Sequence, residues 1–403
     1  MDRNDPPPED ATHRARDLID EICREIGPRP SGSPAESEAS RLLEQRLESW
    51  GVDTRTESFS MSPWSLHAFL VSISAGYVAT FLLYFVWPQL AAALVTLVFL
   101  NALAFRVLDI DVLCALLPKR WSTNVIGRIT PRAERRRTVI FAGHHDSAYH
   151  MPLLRYPKLF PWLGRLFVMF VVSALALLAL AWWRTIGGVP GAGFLDHRGP
   201  LELAVLGVCG VSALFALCIL FGMIRTDAVP GANDNLSAVA VAWEVARRLA
   251  VTPPEHTEVQ VVAFGSEEAG LKGSRYFVKR HRAELAGAEL VNLESLGQSG
   301  TLYVLTGEML GPVRHSETVV RRVEESAVAG GVSLKRRFLF HGLTDATSFS
   351  RQGLPATCVI RLTDDGFLDA YHIPEDAPES IDEERLQEAL RLCLGVVEVI
   401  DRE

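Results

Sequence analysis

Three long stretches of the chain contain no Asp, Glu, Lys or Arg. They cover residues 65–105, 166–183 and 203–224. A helix needs about 20 apolar residues to cross a bilayer core of about 30 Å. The first stretch is long enough for a helical hairpin that turns at Pro88-Gln89, and each of the others is long enough for one crossing. The pattern predicts four transmembrane helices, two in residues 65–106 and two in residues 164–224, with 184–200 connecting the last two.

Outside these stretches, short apolar runs alternate with segments that have a helical hydrophobic pattern. The runs suit strands that are buried on both faces of a sheet, and they cover residues 138–142, 259–264, 290–293 and 356–362. The helical patterns cover residues 17–26, 237–250 and 383–400. Ser33-Pro34-Ala35-Glu36 has the residues of a capping box, which predicts the start of another helix. This alternation indicates an α/β fold with a largely parallel or mixed sheet and helices on both faces.

The polar segments are predicted to form one discontinuous domain. They cover residues 1–64, 107–163 and 225–403. Both helical hairpins are inserted in connections between elements of this domain, where a fold tolerates insertions. Residues 1–10 are acidic and proline-rich and no apolar segment follows them, so we do not expect a signal peptide.

The composition narrows the functional classes. Of the 403 residues, 48% are hydrophobic and 22% are charged, which excludes a disordered chain. A formal charge of −8 argues against a nucleic-acid partner, because binding to phosphates needs a basic surface. The six cysteines have no CxxC spacing, and they indicate neither a disulfide framework nor a zinc knuckle.

Basic residues are distributed unequally between the two sides of the predicted membrane module. Two pairs of crossings leave all three polar segments in one compartment. Nine Lys and Arg residues lie between positions 107 and 164, whereas residues 184–200 contain only Arg184 and Arg198. Because cytoplasmic loops are enriched in Lys and Arg, we expect a multi-pass integral membrane protein whose polar domain faces the cytoplasm.

Side chains that bind metals follow the predicted strands. Ligands of open α/β sheets gather beyond the carboxyl ends of the strands, so we expect these side chains to meet at one edge. In chain order they are His144, Glu267-Glu268, Glu294 and His372, and Asp234 precedes a predicted helix. Two histidines and three carboxylates, with one carboxylate to spare, suit a pair of divalent metals of the zinc type. Such a pair polarises a carbonyl, and a neighbouring carboxylate serves as general base.

These motifs resemble those of the M28 di-zinc aminopeptidases. The resemblance rests on residues 26–33, 144–147, 230–235, 264–276 and 371–372. It implies a zinc-exopeptidase-like fold with a mixed, mostly parallel sheet flanked by helices. It also implies that Glu267 is the general base and that Asp146 orients His144.

The same resemblance implies five ligands for two Zn²⁺ ions. Other divalent metals are alternatives to zinc, because the sequence does not distinguish between them. The implied ligands are His144, Asp234, Glu268, Glu294 and His372. Asp234 would bridge the ions, with His144 and Glu294 on one of them and Glu268 and His372 on the other.

The chain departs from the family pattern at three places. Glu294 stands where most relatives have Asp, although its longer side chain still coordinates. Thr344-Asp345-Ala346 stands where many members have Ser-Asp-His, so no role is assigned there. His144 and Asp234 are 90 residues apart, which is wider than usual, and the second pair of apolar helices explains the excess.

The sequence therefore predicts a membrane-bound, zinc-dependent exopeptidase of aminopeptidase type that hydrolyses N-terminal peptide bonds. Its expected partners are a peptide substrate and the lipid bilayer, and a homo-oligomer is open. A carboxypeptidase or a glutaminyl-cyclase-like activity is an alternative within the enzymes. A non-catalytic peptidase-like scaffold on a membrane module is an alternative outside them, although the intact ligand set and Glu267 argue against it. Transport is disfavoured, because the apolar helices contain almost no ionisable residue at mid-membrane depth.

Overall fold

The computed structural model describes residues 9–106, 110, 112–188, 199–222, 225–340, 342–364 and 366–403. The chain forms two units, each with its own hydrophobic core. Met1–Pro63, Lys119–Tyr149 and Asp227–Glu403 form the first unit, and Trp64–Pro118 and His150–Thr226 form the second. Arg198, one of the two basic residues in the segment 184–200, lies outside the described residues.

The first unit is built on a mixed sheet. Its described strands are β1 (Asp53–Met61), β2 (Arg120–Ile129), β3 (Arg137–His144), β4 (Thr257–Phe264), β5 (Ala288–Glu294), β6 (Thr301–Glu308), β7 (Val313–Arg314), β8 (Leu334–Leu339) and β9 (Ala356–Leu362). They are ordered β1-β2-β4-β3-β5-β9-β6-β7, and β8 pairs with β6. The central strands β4, β3, β5 and β9 are parallel, whereas antiparallel pairs lie on both flanks. The predicted mixed sheet is therefore confirmed.

Helices cover both faces of this sheet. The described helices of the chain are α1 (Glu9–Glu21), α2 (Pro34–Ser49), α3 (Ser65–Tyr84), α4 (Pro88–Arg106), α5 (Phe160–Ile186), α6 (Pro200–Gly222), α7 (Ala238–Val251), α8 (Lys272–His281), α9 (Glu317–Ala329), α10 (Ala346–Ser350) and α11 (Glu383–Asp401). One face packs against α1, α2, α7, α9 and α11, and the other packs against α8 and α10. Helices α3 to α6 belong to the second unit.

Most positions in the middle of the central strands are apolar, because both faces of these strands are buried. Val139 and Phe141 of β3 join the core on one side of the sheet, and Ile140 and Ala142 join the core on the other side. Successive side chains of a strand point to opposite faces. Two-sided burial therefore explains why the predicted strands appear as continuous apolar runs.

The capping box predicted for α2 forms only in part. The hydroxyl of Ser33 accepts a hydrogen bond from the backbone N–H of Glu36 at 3.1 Å, as expected of an N-cap. The carboxylate of Glu36 does not return the second bond to Ser33. It accepts hydrogen bonds from Gly32 N, Ser122 Oγ and Ser266 N instead. The reciprocal half of the predicted box is therefore wrong, because Glu36 is fully buried beside the turn that follows β4.

The second unit consists of the four apolar helices α3 to α6. By length and apolar composition, each of them could cross a membrane. The first stretch divides into α3 and α4, and α4 begins at Pro88, where the sequence predicts the turn. Tyr77, Leu177 and Cys209 are buried between the helices. Leu97, Val168 and Leu214 are each more than 60% exposed, which suits a surface in contact with lipid.

Candidate metal centre

The carboxyl ends of the four parallel strands place the predicted ligands at one edge of the sheet. His144 ends β3 and Glu294 ends β5. Glu268 lies in the turn after β4, and His372 lies in the loop after β9. Asp234 lies in the segment Ala232–Ser237, which leads into α7. The structure thus brings together all five residues that the sequence proposes as ligands.

Asp234 lies between the two histidines. Its Oδ1 is 3.2 Å from Nε2 of His144, and its Oδ2 is 3.2 Å from Nε2 of His372. Glu294 Oε1 lies 3.6 Å from His144 Nε2, and Glu268 Oε1 lies 3.2 Å from His372 Nε2. The donor atoms therefore form two groups of three that share Asp234.

The spacing of these donors fits zinc. Ligands at about 2.0–2.2 Å from a tetrahedral zinc ion lie about 3.3–3.6 Å from one another. The nitrogen–oxygen distances within the two groups are 3.2–3.6 Å. Imidazole nitrogen and carboxylate oxygen are also the donor types that zinc accepts. The residues present therefore fit a pair of zinc ions.

The protonation of the cluster supports the same fit. Burial lowers the pKa of His372, but the carboxylates of Glu268 and Asp234 outweigh burial and raise that pKa to about 10. Burial raises the pKa of Glu294 to about 8 and also raises the pKa of Glu267. Burial thus disfavours the charged forms of these two glutamates, and divalent cations bound beside them would favour those forms.

Asp146 connects His144 to the turn that carries the two glutamates. Its Oδ1 accepts the backbone N–H of Glu267 at 3.0 Å, and its Oδ2 accepts that of Glu268 at 3.1 Å. The hydroxyl of Ser31 donates to Oδ2 at 2.7 Å. Nδ1 of His144 lies 3.4 Å from Oδ1 and 3.2 Å from the backbone oxygen of the same residue. Nδ1 is therefore placed to carry the proton. The lone pair of Nε2 is then free to bind a metal on the side of Asp234 and Glu294.

Asp376 holds the loop of Asp234 in a similar way, and the sequence analysis did not find it. Its carboxylate accepts the backbone N–H groups of Asn233 at 2.6 Å and of Asp234 at 3.1 Å. The peptide bond between Asp234 and Asn235 is cis. Asp376 follows His372 by four residues in a polar loop, and that loop has no periodicity that could have revealed it.

The backbone adopts left-handed conformations at several residues beside the ligands. Ser266 has φ 54°, Ser295 has φ 48° and His372 has φ 54°. Ser266 directly precedes Glu267-Glu268, and Ser295 directly follows Glu294. Such conformations are costly for residues other than glycine and cluster at functional sites. Glu36 stabilises one of them, because its Oε1 accepts both the N–H and the hydroxyl of Ser266.

Two further acidic groups lie by the ligands. Glu267 Oε2 is 3.9 Å from His144 Nε2, so its carboxylate faces the same space as the donors. Burial and the charges of the surrounding carboxylates raise the pKa of Tyr371, which precedes His372 in the chain, so its hydroxyl keeps its proton. These two groups provide a proton acceptor and a hydrogen-bond donor next to the proposed ligands.

Comparison with known proteins finds a peptidase family that matches part of the chain. Residues 218–397 match the model of peptidase family M28. Aminopeptidase YwaD of Bacillus subtilis (strain 168) is 35% identical over an alignment of 179 residues, which covers 42% of this chain and 37% of that protein. The match thus spans less than two fifths of the length of this relative. The resemblance to the M28 metallopeptidases is confirmed.

Solved structures show the same fold. A zinc aminopeptidase from Bacillus subtilis superimposes with a TM-score of 0.58 at 17% identity, covering 96% of this chain and 94% of that chain. Porphyromonas gingivalis glutaminyl cyclase superimposes with a TM-score of 0.55 at 15% identity, covering 97% and 98%. The predicted zinc-exopeptidase-like fold is therefore confirmed, and the fold is common to proteins with two different activities.

Proposed function

We propose that the chain is a membrane-bound exopeptidase with two zinc ions and that it acts as an aminopeptidase on short peptides. The observation that carries the proposal is the position of Asp234, whose two oxygens face two different histidines at equal distances. His144 and Glu294 would hold one ion with Asp234, and Glu268 and His372 would hold the other. The similar zinc aminopeptidase fold supports zinc as the metal. The polar segments would form one discontinuous peptidase domain.

Glu267 is the proton acceptor in this proposal. Zinc, when bound, supplies Lewis acidity to the scissile carbonyl and to water. Oε2 of Glu267 accepts a proton from the attacking water and then delivers it to the leaving amine. Asp146 holds the backbone of Glu267, so the carboxylate stays in place during this transfer. The protonated hydroxyl of Tyr371 is a donor for the oxygen that becomes negative.

The hydrogen bonds of Arg29 make it unavailable as a binding group for the α-carboxylate of a carboxypeptidase substrate. Recognition of a substrate α-carboxylate needs a cationic side chain with free donors. Arg29 is fully buried against the loops that follow β3 and precede α7. Its guanidinium donates to four backbone carbonyls, so its hydrogens are not available to a substrate. The carboxylates around the centre suit a substrate with a free, positively charged amine.

A substrate panel with the full-length protein in detergent tests the activity. We expect the zinc-loaded protein to release N-terminal residues from peptides with a free amine. Glu267→Gln should lower kcat/KM by about 10²–10⁴-fold while zinc content stays the same. Glu38→Gln is the control, since Glu38 is exposed on α2. Release of C-terminal residues, or cyclisation of N-terminal glutamine alone, would replace the aminopeptidase by the corresponding alternative. No turnover by the zinc-loaded protein would favour a scaffold.

We also propose that α3 to α6 span the bilayer, with the peptidase domain in the cytoplasm. Their length and apolar composition support the crossings, and the excess of Lys and Arg in residues 107–163 supports the orientation. A reporter that is active only in the cytoplasm, fused at the C-terminus, should be active. The same reporter in the α5–α6 connection should be silent. The reverse pattern would invert the proposed orientation.

A further inference from the structure

Arg29 is a buried guanidinium that contacts backbone oxygens from three segments. Its Nε donates to His145 O at 2.9 Å. Its Nη1 donates to Gly27 O and to Pro230 O, each at 2.8 Å, and its Nη2 donates to Gly231 O at 3.1 Å. No part of the residue is exposed to solvent. Arg29 therefore ties its own N-terminal segment to two distant loops.

Each of these loops carries a proposed zinc ligand. His145 follows His144 directly, and Gly231 precedes Asp234 by three residues. The main chain of Arg29 adds two bonds to the first loop, because its N–H donates to Ser147 Oγ and its carbonyl accepts from Ser147 N. The segment thus touches both loops behind the ligands, while His144 Nε2 and Asp234 Oδ1 face each other at 3.2 Å.

The packing around Gly231 shows how closely these groups fit. Gly231 has φ +64°, and a Cβ atom placed on it would lie 2.7 Å from Ser147 Cβ and 3.1 Å from Arg29 Nη2. Gly231 therefore packs directly against both Ser147 and the guanidinium, and a side chain at position 231 would displace one of them.

Burying a charged guanidinium away from a carboxylate costs free energy, so we expect Arg29 to have a specific role. Burial lowers the pKa of Arg29, and Cys23 together with the carboxylates of Asp146 and Asp376 opposes that change only in part. A guanidinium offers five donors in a rigid plane, whereas an ammonium group offers three around one point. The donors of a guanidinium can reach four carbonyls in three segments, whereas an ammonium group, with three donors at one point, cannot.

We propose that Arg29 is a positioning residue that sets the separation of His144 and Asp234, and through it the zinc affinity of the centre. The effect on zinc rests on the proposed function. The effect on the two loops does not, because it concerns contacts of the polypeptide alone.

Arg29→Lys is the variant that tests the proposal. Arg322→Lys is the matched control, because Arg322 is also buried but pairs with Glu289 and Glu403, away from the ligand loops. Full-length, metal-free proteins in detergent are compared by amide hydrogen exchange and by titration with Zn²⁺ against a chromophoric chelator. Thermal unfolding of each variant measures the general loss of stability.

In Arg29→Lys we expect faster exchange of the amides of Ser147, Asn233 and Asp234, and zinc affinity lower by about 10–100-fold. In Arg322→Lys we expect lower thermal stability with wild-type exchange at these amides and wild-type zinc affinity. Unchanged exchange in Arg29→Lys, or equal loss of zinc affinity in the control, would overturn the proposal. If the wild-type protein bound no zinc, the proposed function would fail and the exchange data would still decide the role of Arg29.

Discussion

His144 and Asp234 face each other at 3.2 Å between Nε2 and Oδ1, although 90 residues separate them and α5 and α6 lie between them in the chain. The contacts that hold both residues come from the first unit. His144 ends a central strand, and the loop of Asp234 is held by Arg29 and Asp376. An insertion of two long helices is therefore compatible with a narrow site, because the ends of the insertion are fixed locally.

Substitution of Gly231 should disturb this relationship directly. Gly231→Ala puts a methyl group 2.7 Å from Ser147 Cβ and 2.8 Å from the carbonyl oxygen of Asp234. We expect a loss of about 2–4 kcal/mol in the free energy of unfolding, together with weaker zinc binding. Gly51→Ala is the control, because Gly51 has a similar φ of +73° but open space around it, and should cost only about 1 kcal/mol. Denaturant unfolding measures both variants, and equal losses would contradict the steric argument.

Asp146→Asn should show how strongly the orientation of the turn with Glu267 and Glu268 affects activity and zinc binding. The amide keeps one acceptor but turns two donors toward Glu267 N, Glu268 N or Ser31 Oγ, which are donors themselves. We expect kcat/KM and zinc affinity to fall by about 10–100-fold. Ser31→Ala removes only one of the three hydrogen bonds, so its effect should be about tenfold or less. If both variants behaved alike, the backbone contacts of Asp146 would not matter for the centre.

The central strands could be predicted because strands that are buried on both faces appear in the sequence as short apolar runs. In β3 and β5 the residues before the ligands are mostly apolar, at positions 139–142 and 290–293, and each ligand lies at the end of its strand. Strands β6 and β8 were not predicted. Leu334–Leu339 reads Leu-Lys-Arg-Arg-Phe-Leu, and its pairing with β6 depends on partners some thirty residues away that no local pattern specifies.

The ligands, and Asp146 as the residue that orients His144, could be proposed from the sequence, whereas the other groups that hold the ligands could not. A histidine or glutamate at the end of a predicted strand can be recognised as a possible metal ligand from the sequence alone. Asp376 and Arg29 act through backbone atoms of residues more than a hundred positions away, and backbone atoms are the same in every residue. The capping-box pattern already accounted for Glu36, so no feature of the sequence indicated that Glu36 contacts Ser266. Such contacts are visible only after the fold brings the segments together.

The second unit contains a buried ion pair whose removal should destabilise it. Arg184 Nη2 lies 3.0 Å from Glu202 Oε1, and the hydroxyl of Tyr84 donates to the same oxygen at 2.6 Å. Glu202→Ala leaves Arg184 without its counterion, and we expect a loss of about 3 kcal/mol in detergent. Tyr84→Phe should cost about 1 kcal/mol. Arg184→Ala combined with Glu202→Ala should recover part of the loss, and strict additivity in this double-mutant cycle would show that the pair is not coupled.

Asp345 should make the metal-free protein less stable as the pH rises. It is fully buried, and neither of its carboxylate oxygens makes a hydrogen bond of ordinary geometry with the described residues. Burial raises its pKa to about 7, whereas an Asp in an unfolded chain has a pKa of about 3.9. Between these values the folded protein keeps a proton that the unfolded chain has lost. The contribution of Asp345 to the free energy of unfolding therefore falls as the pH rises from about 4 to about 7, and it stays low above pH 7.

Asp345→Asn removes this loss, because the amide has nearly the same shape and carries no charge at any of these pH values. We expect the metal-free variant to resemble the wild-type protein at pH 5 and to be more stable at pH 8, by an amount on the order of a few kcal/mol. Thermal unfolding at several pH values measures the difference, and Asp53→Asn on the exposed start of β1 should leave the profile unchanged. A variant profile parallel to that of the wild type would mean that Asp345 is already ionised at pH 5, so that the buried carboxylate obtains its stabilisation from His144 and not from a proton.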